Sequence, residues 1–274
     1  QIIDLGALAD QSQEDTSRRI IMIIGEGGVF ILILMAGFWK IQQSIAKEIQ
    51  LSQRQNNFML SVTHELKTPL TSIQLALQTL KKRNLKAEDQ ADLIAKALGA
   101  NQRLSSLIDN IINASRLESN DFTPRLEIFP LKTFLQNKAT ELKTTHKQAS
   151  IILNCAVEIM HADAYMLETI FNNLLENAIK YSGDNPTLEI LVKQNGKFTE
   201  IIISDQGTGI TAEEKQQIFK KFYRVGSEIS RSQKGSGLGL FITSEFVQLH
   251  KGRIKCENNK PAGTKFIIEL PNGE

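Results

Sequence analysis

The sequence predicts a chain of three parts: a transmembrane helix, an α-helical hairpin forming a dimeric four-helix bundle with a second copy, and an α/β sandwich. Three observations predict them. Residues 20–41 are almost wholly apolar, two apolar stripes at helical spacing run between Phe58 and Ile112, and from about Asp121 short β-rich runs alternate with helical ones. A length of 274 residues suits about two folded domains and excludes a mini-protein that needs covalent staples. With 32 Lys plus Arg against 30 Asp plus Glu, the net charge of +2 gives no basic tail for nucleic acid, and no nucleic-acid partner is expected. Cys155 and Cys256 stand far apart without CxxC or His spacing, which argues for buried, reduced thiols rather than a disulfide framework or zinc site.

The apolar run IIMIIGEGGVFILILMAGFWKI from Ile20 to Ile41 has one acidic residue, Glu26, before Lys40. As a helix it spans roughly 33 Å at 1.5 Å per residue, enough to cross a bilayer. Arg18 and Arg19 flank one end, and Trp39 with Lys40 marks the other as an interfacial aromatic and a snorkelling amine. The run is too long for a signal peptide, starts too late and lacks a small-residue cleavage site. Glu26 is expected to face a partner helix or lie near a headgroup boundary. Gly25, Gly27 and Gly28 permit close helix approach, although without GxxxG spacing. Residues 1–19 then read as a truncated extracytoplasmic or juxtamembrane segment of a longer protein, since the chain starts at Gln1. Basic residues on both sides of the span leave its orientation open.

Residues 42–57 are polar and rich in Gln without Gly or Pro, a helical linker. Phe58, Val62, Leu66, Leu70, Ile73, Leu77 and Leu80 then recur at steps of three or four, and Leu93, Ala97, Leu104, Leu107, Ile111 and Ile112 repeat the pattern up to about Glu118. A polar turn near Asn84 joins the two helices. A single hairpin cannot cover both stripes, whereas two hairpins can. The first helix carries Ser61-Val-Thr-His-Glu-Leu-Lys-Thr-Pro-Leu70, with His64 on the solvent side of the stripe. Pro69 removes the donor to the Glu65 carbonyl and should bend the helix one turn after His64. Glu65 adjoins the imidazole and is able to accept from one ring nitrogen, leaving the other as a nucleophile. Thr68 places a hydroxyl on the same face as His64.

HELKTPL resembles the phosphoacceptor box of the sensor histidine kinases of bacterial two-component systems. The resemblance implies that His64 is phosphorylated, that Glu65 orients and activates it, and that Thr68 positions water when the same domain dephosphorylates its partner.

Helical runs are expected at Leu131–Thr145, Ala164–Tyr181, Ala212–Lys220 and Leu238–Leu249. Strands are expected at Ile151–Cys155, Leu188–Lys193, Glu200–Ser204, Arg253–Glu257 and Lys265–Leu270. Four signals lie in the connections. In Asn172-Asn-Leu-Leu-Glu-Asn-Ala-Ile-Lys-Tyr-Ser182, helical spacing puts Asn173, Asn177 and Lys180 or Tyr181 on one face, offering amide oxygens to a hard cation, an amine to phosphate and a ring to a base. In Ser204-Asp-Gln-Gly-Thr-Gly-Ile210, Asp205 is placed to accept from an amino group, while Gly207 and Gly209 let the backbone approach a ligand. Ile218-Phe-Lys-Lys-Phe-Tyr-Arg-Val225 combines aromatic and basic residues, and Gly235-Ser-Gly-Leu-Gly-Leu240 opens a helix whose free N–H groups suit phosphate.

In that order the signals are similar to the N, G1, F and G2 boxes of histidine-kinase ATP-binding domains, of the GHKL or Bergerat-type fold. The resemblance implies ATP and Mg²⁺, with Asn177 as the metal ligand and Asn173 and Lys180 near the phosphates. It implies that Tyr181 flanks adenine and Asp205 accepts from its exocyclic amine, with Gly207, Gly209 and Ile210 alongside. Arg224 would lie near the phosphates, and Gly235, Gly237 and Gly239 would form the closing end of the lid, with Tyr223, Leu238 and Leu240 also among the cofactor-binding residues. Lys251 departs from the pattern, standing where a second Gly often follows the His of the HxG turn.

ATP-hydrolysing relatives of this fold carry a Glu base four residues before the magnesium Asn, and here that position is Asn173. The domain is therefore expected to hold ATP for an external nucleophile, His64, rather than activate water. Residues 58–120 are read as the dimerisation and phosphotransfer hairpin and 121–274 as the catalytic domain. The expected partners are a second copy through the hairpin, membrane lipid and a separate response regulator. The expected location is the bacterial cytoplasmic membrane with the catalytic domains in the cytoplasm, where ATP is. The alternatives are a degenerate nucleotide-binding scaffold and a GHKL-type ATPase.

Overall fold

The computed structural model describes residues 2–82, 85–119, 122–183, 185–225 and 235–272, with side chains described from Met22 onward except at positions 23 and 54. The expected hairpin turn at Asn84 and the expected boundary at Asn120 and Asp121 lie outside the described residues. The chain divides after Asn56 into two units.

The first unit consists of the first part of helix α1 (Ile2–Lys82), which takes in both the apolar run and the Gln-rich linker. Phe30, Ile33, Leu34 and Trp39 are all more than half exposed, at 62%, 62%, 55% and 68%. A helix that is apolar all round needs a core or a lipid phase around it, and the described residues supply no core.

The second unit begins with the rest of α1 and with α2 (Ala87–Glu118). Val62, Ala76, Ala100 and Leu107 are buried, whereas Leu70, Leu77 and Leu98 stay exposed at 57%, 57% and 64%. The exposed set is the face that a second hairpin would cover. Helix α1 runs through Pro69 without a break, and the Pro69 side chain is buried.

The remainder is a two-layer sandwich. Its strands are β1 (Glu127–Phe129), β2 (Ser150–Cys155), β3 (Met160–Ala162), β4 (Thr187–Asn195), β5 (Phe198–Asp205), β6 (Arg253–Asn258) and β7 (Thr264–Pro271). Its helices are α3 (Leu131–Thr145), α4 (Ala164–Tyr181), α5 (Ala212–Lys215) and α6 (Gly239–Leu249). The main sheet runs β2-β4-β5-β7-β6, parallel between β2 and β4 and antiparallel elsewhere. Strand alternation sends Ile190, Val192, Ile201, Ile203, Phe266 and Ile268 into one core with Leu135 of α3, Phe171 and Leu174 of α4, and Phe246 of α6. Helix α4 starts where Asp163 Oδ1 accepts the Met166 N–H at 3.0 Å, a side-chain cap readable from the sequence. His250 ties the end of α6 to that start. Its Nδ1–H donates to the Phe246 carbonyl at 2.7 Å, and its Nε2 accepts the Asp163 N–H at 3.0 Å, so one neutral tautomer serves both bonds.

Three expectations change. The small sheet of β1 with β3 falls outside every expected strand, being two three-residue runs that pair only through tertiary contact. The expected helix Ala212–Lys220 stops at Lys215, held at its start by a Thr211–Glu214 capping box and followed by turns. The cysteines are free thiols but half-buried rather than buried.

Helix α6 ends in a Schellman motif: the Gly252 N–H donates to the Val247 carbonyl and the Lys251 N–H to that of Gln248, at 2.9 and 2.8 Å. Lys251 occupies the left-handed position at φ 57°, which accounts for a glycine preference there. Lys251→Gly should remove a strain of about 1 kcal/mol and raise the melting temperature by a few degrees. Unchanged or lower melting would show that the turn bears no such strain.

Burial pushes the Cys256 thiol up to about 11 and raises that of Cys155. The reactive thiolate of Cys256 therefore appears only as pH approaches that value. Alkylation at pH 8 should run more than about 100-fold slower than for a cysteine of ordinary pKa near 8.5 in a peptide. A peptide-like rate at either cysteine would contradict the burial.

Candidate active site

The four sequence signals converge at one edge of the sandwich. Asp205 closes β5 and is 4% exposed. Its Oδ1 accepts two backbone N–H groups, from Gly207 at 2.8 Å and Thr264 at 3.0 Å, so Oδ2 is left for a ligand amine. Burial raises the Asp205 pKa, while the same two N–H bonds hold it down. The Asp205 carbonyl accepts Asn259 Nδ2 at 2.7 Å. A Cβ on Gly263, which has φ 107°, would come within 2.1 Å of that carbonyl oxygen, so only glycine fits. Asn259, Gly263 and Thr264 were not among the expected site residues. Their sequence signal is the Pro-Ala-Gly-Thr turn between two strand runs.

Tyr181, at the end of α4, lies against the same feature: a Cβ on Gly207 would fall 2.5 Å from the Tyr181 carbonyl oxygen. Gly209 lies beside Gly263, and Ile210 packs partly buried on the core. The Tyr181 backbone is thus brought against Gly207 beside Asp205, with Gly209 against Gly263.

The phosphate-facing candidates divide. Asn177 is half-buried and has no hydrogen-bond partner among the described residues, so its amide oxygen is open to a cation. Asn173 is 8% exposed, and its Nδ2 donates to the Gly239 carbonyl at 3.1 Å, tying α4 to the glycine segment at the start of α6. Leu238 is 0% exposed and packs in the core at the start of α6. Leu240 is partly buried against that core. The glycine segment is fastened to the aromatic one, since the Phe222 N–H donates to the Gly237 carbonyl at 3.2 Å. A Cβ on Gly237, at φ 70°, would meet the Tyr223 carbonyl at 2.9 Å. Phe222 is itself left-handed at φ 65°, a strained state for a bulky residue.

The His64 segment of α1 lies on this edge. The Glu65 carboxylate faces the Gly235 N–H and the Lys180 and Arg224 cations. Burial nonetheless raises its pKa, and Glu65 Oε1 is buried without a partner. No hydrogen bond joins Glu65 to the His64 ring among the described residues; successive helical side chains point about 100° apart, and this one is turned to Gly235. His64 is exposed, and Thr68 Oγ1 donates to the His64 carbonyl at 3.1 Å. A Cβ on Gly235 would meet Lys180 Nζ at 2.9 Å, which places Lys180 beside the glycine segment. Phe58 stacks on Phe222 with ring centroids 4.2 Å apart.

Residues 54–120 match the His Kinase A (phospho-acceptor) domain, and residues 162–274 match the histidine kinase-, DNA gyrase B- and HSP90-like ATPase. The sensor protein SrrB of Staphylococcus aureus is 27% identical over 256 residues, covering 91% of this chain and 42% of SrrB. The chain therefore spans less than half the length of that curated relative. Two solved structures share the fold. Acinetobacter baumannii histidine kinase AdeS has a TM-score of 0.55 at 24% identity, covering 77% of this chain and 98% of AdeS. Histidine kinase ThkA, solved in complex with response regulator protein TrrA, has a TM-score of 0.52 at 22% identity, covering 79% of this chain and 61% of that one. With a phosphoacceptor domain followed by a nucleotide-binding ATPase domain, and with these relatives, the chain belongs to the sensor histidine kinases of two-component systems.

Proposed function

We propose that this chain is the catalytic part of a membrane-bound sensor kinase that phosphorylates its own His64 from Mg-ATP and passes the phosphoryl group to an aspartate of a separate response regulator. The carrying observation is the contact between the His64 segment and the glycine segment of the nucleotide site: Ser61 Oγ donates to the Gly235 carbonyl at 3.4 Å, and Glu65, the residue after His64, faces the Gly235 N–H.

In this reading Asp205 Oδ2 accepts from the adenine amine, with Tyr181 beside the base and Gly207 and Gly209 letting the backbone close in. The N–H groups at the start of α6 and the Lys180 and Arg224 cations face the phosphates. Asn177 has the donor chemistry for Mg²⁺, a single open amide oxygen of the kind that completes a shell made mostly of phosphate oxygens and water. When bound, the ion neutralises charge on the phosphate oxygens. His64 attacks the γ-phosphorus with a ring-nitrogen lone pair. An N–P bond forms as the bond to the bridging oxygen breaks, and ADP leaves. Glu65, turned to Gly235 in this structure, would have to swing toward His64 to accept the other ring N–H. Asn173 is an amide committed to Gly239 and cannot serve as a base for water, which favours transfer to His64 over hydrolysis.

Thr68, exposed one turn on, is placed to hold water for dephosphorylation of the regulator. The exposed Leu70, Leu77 and Leu98 fit a homodimer through the hairpin. The all-round apolar run fits membrane lipid, and the need for cytosolic ATP puts the catalytic domains on the cytoplasmic side of a bacterial cytoplasmic membrane. The test is to incubate the whole chain in lipid nanodiscs with γ-labelled ATP and Mg²⁺. Acid-labile, alkali-stable label is expected; acid-stable label, or only released phosphate, would overturn the reading.

A further inference from the structure

Residues 61 and 65 are one helical turn apart on α1 and share a face. Both meet the same glycine. Ser61 Oγ donates to the Gly235 carbonyl at 3.4 Å, and the Glu65 carboxylate faces the Gly235 N–H. The same Ser61 oxygen accepts Arg224 Nη1 at 2.9 Å. Phe58, one turn earlier on that face, stacks on Phe222, whose N–H holds the Gly237 carbonyl. One face of α1 thus contacts the residues on the aromatic side, Phe222 and Arg224, and Gly235 on the glycine side.

We propose that Ser61 is a positioning residue for phosphoryl transfer: through Arg224 and Gly235 it sets the His64 helix in register with the nucleotide edge. At 100° per residue, His64 lies about 60° around the helix from Ser61, at the rim of the docked face rather than under it. A hydroxyl at position 61 is suited to this because it donates to the Gly235 carbonyl while accepting from the Arg224 guanidinium. Alanine does neither. It leaves the guanidinium without this acceptor and the carbonyl without this donor, and it lets the helix shift along the edge. A small misplacement of the attacking nitrogen is costly in rate, whereas Asp205 and the base site are remote from it in sequence and bonding.

The inference rests on the proposed kinase reading. The experiment compares wild type, Ser61→Ala and Ser61→Thr as whole chains in nanodiscs, measuring the single-turnover rate of His64 labelling against ATP concentration and, separately, ATP binding. Ser61→Ala should slow labelling at saturating ATP about 10-fold. Its ATP dissociation constant should stay within about two-fold, and Ser61→Thr should restore most of the rate. An unchanged rate in Ser61→Ala, a parallel loss of ATP binding, or no rescue by threonine would overturn the role of Ser61 while leaving the kinase reading intact. Absence of label in the wild-type chain would instead remove that reading, and this inference with it.

Discussion

His64→Ala should leave ATP binding unchanged and abolish phosphate uptake, with label falling at least about 1,000-fold, to background. His64 is exposed, so its removal opens no cavity and unpairs no buried group. The proposed adenine site lies elsewhere, around Asp205 at the end of β5, which Gly207 and Thr264 hold by their N–H groups. Loss of the attacking nitrogen removes the covalent step itself rather than a fraction of its stabilisation. Fluorescent-nucleotide binding measured on the labelled samples separates the two effects. Label that persists in His64→Ala would show that another residue accepts the phosphoryl group, and loss of binding would show that His64 supports the nucleotide fold.

Asp205→Asn should weaken ATP binding about 100-fold or more while leaving the fold intact. Asn keeps an oxygen to accept the Gly207 and Thr264 N–H groups, now at 2.8 and 3.0 Å, so the turn survives. The second oxygen becomes an NH₂ that points a donor at the adenine amino group, itself a donor. Losing a charge-assisted hydrogen bond and burying an unmatched donor together cost about 3 kcal/mol. Calorimetric titration with ATP measures it, and unchanged melting of the free protein shows that the substitution acts on the ligand. Near-normal affinity would mean that Asp205 does not meet the base.

Much of this was legible because the chemistry depends on spacing. Asn173, Asn177 and Lys180 share a helical face whatever surrounds them, and the DxGxG and GxGxG runs need glycine where backbone meets backbone. Helices α3 and α4 fell on their expected bounds, for α4 because the Asp163 cap and the apolar period agree. What escaped was tertiary. Strands β1 and β3 are too short to show a period and form only because Glu127 meets Ala162 across the chain. Asn173 lies on the face its spacing gives, but only the fold brings the Gly239 carbonyl to it. Gly263 and Thr264 hold Asp205 through backbone groups, which residue type barely reports. Ser61 and Glu65 were in plain view within the His64 segment, but nothing local says that both would close on Gly235.

The most direct test of the account is to locate the phosphate. Whole chain in nanodiscs, phosphorylated with Mg-ATP and digested under alkaline conditions, should yield by mass spectrometry one phosphopeptide carrying its phosphate on His64, lost on brief acid treatment. Phosphate on Ser61, Thr63 or Thr68, stable to acid, or an unmodified His64 peptide despite ATP turnover, would contradict it.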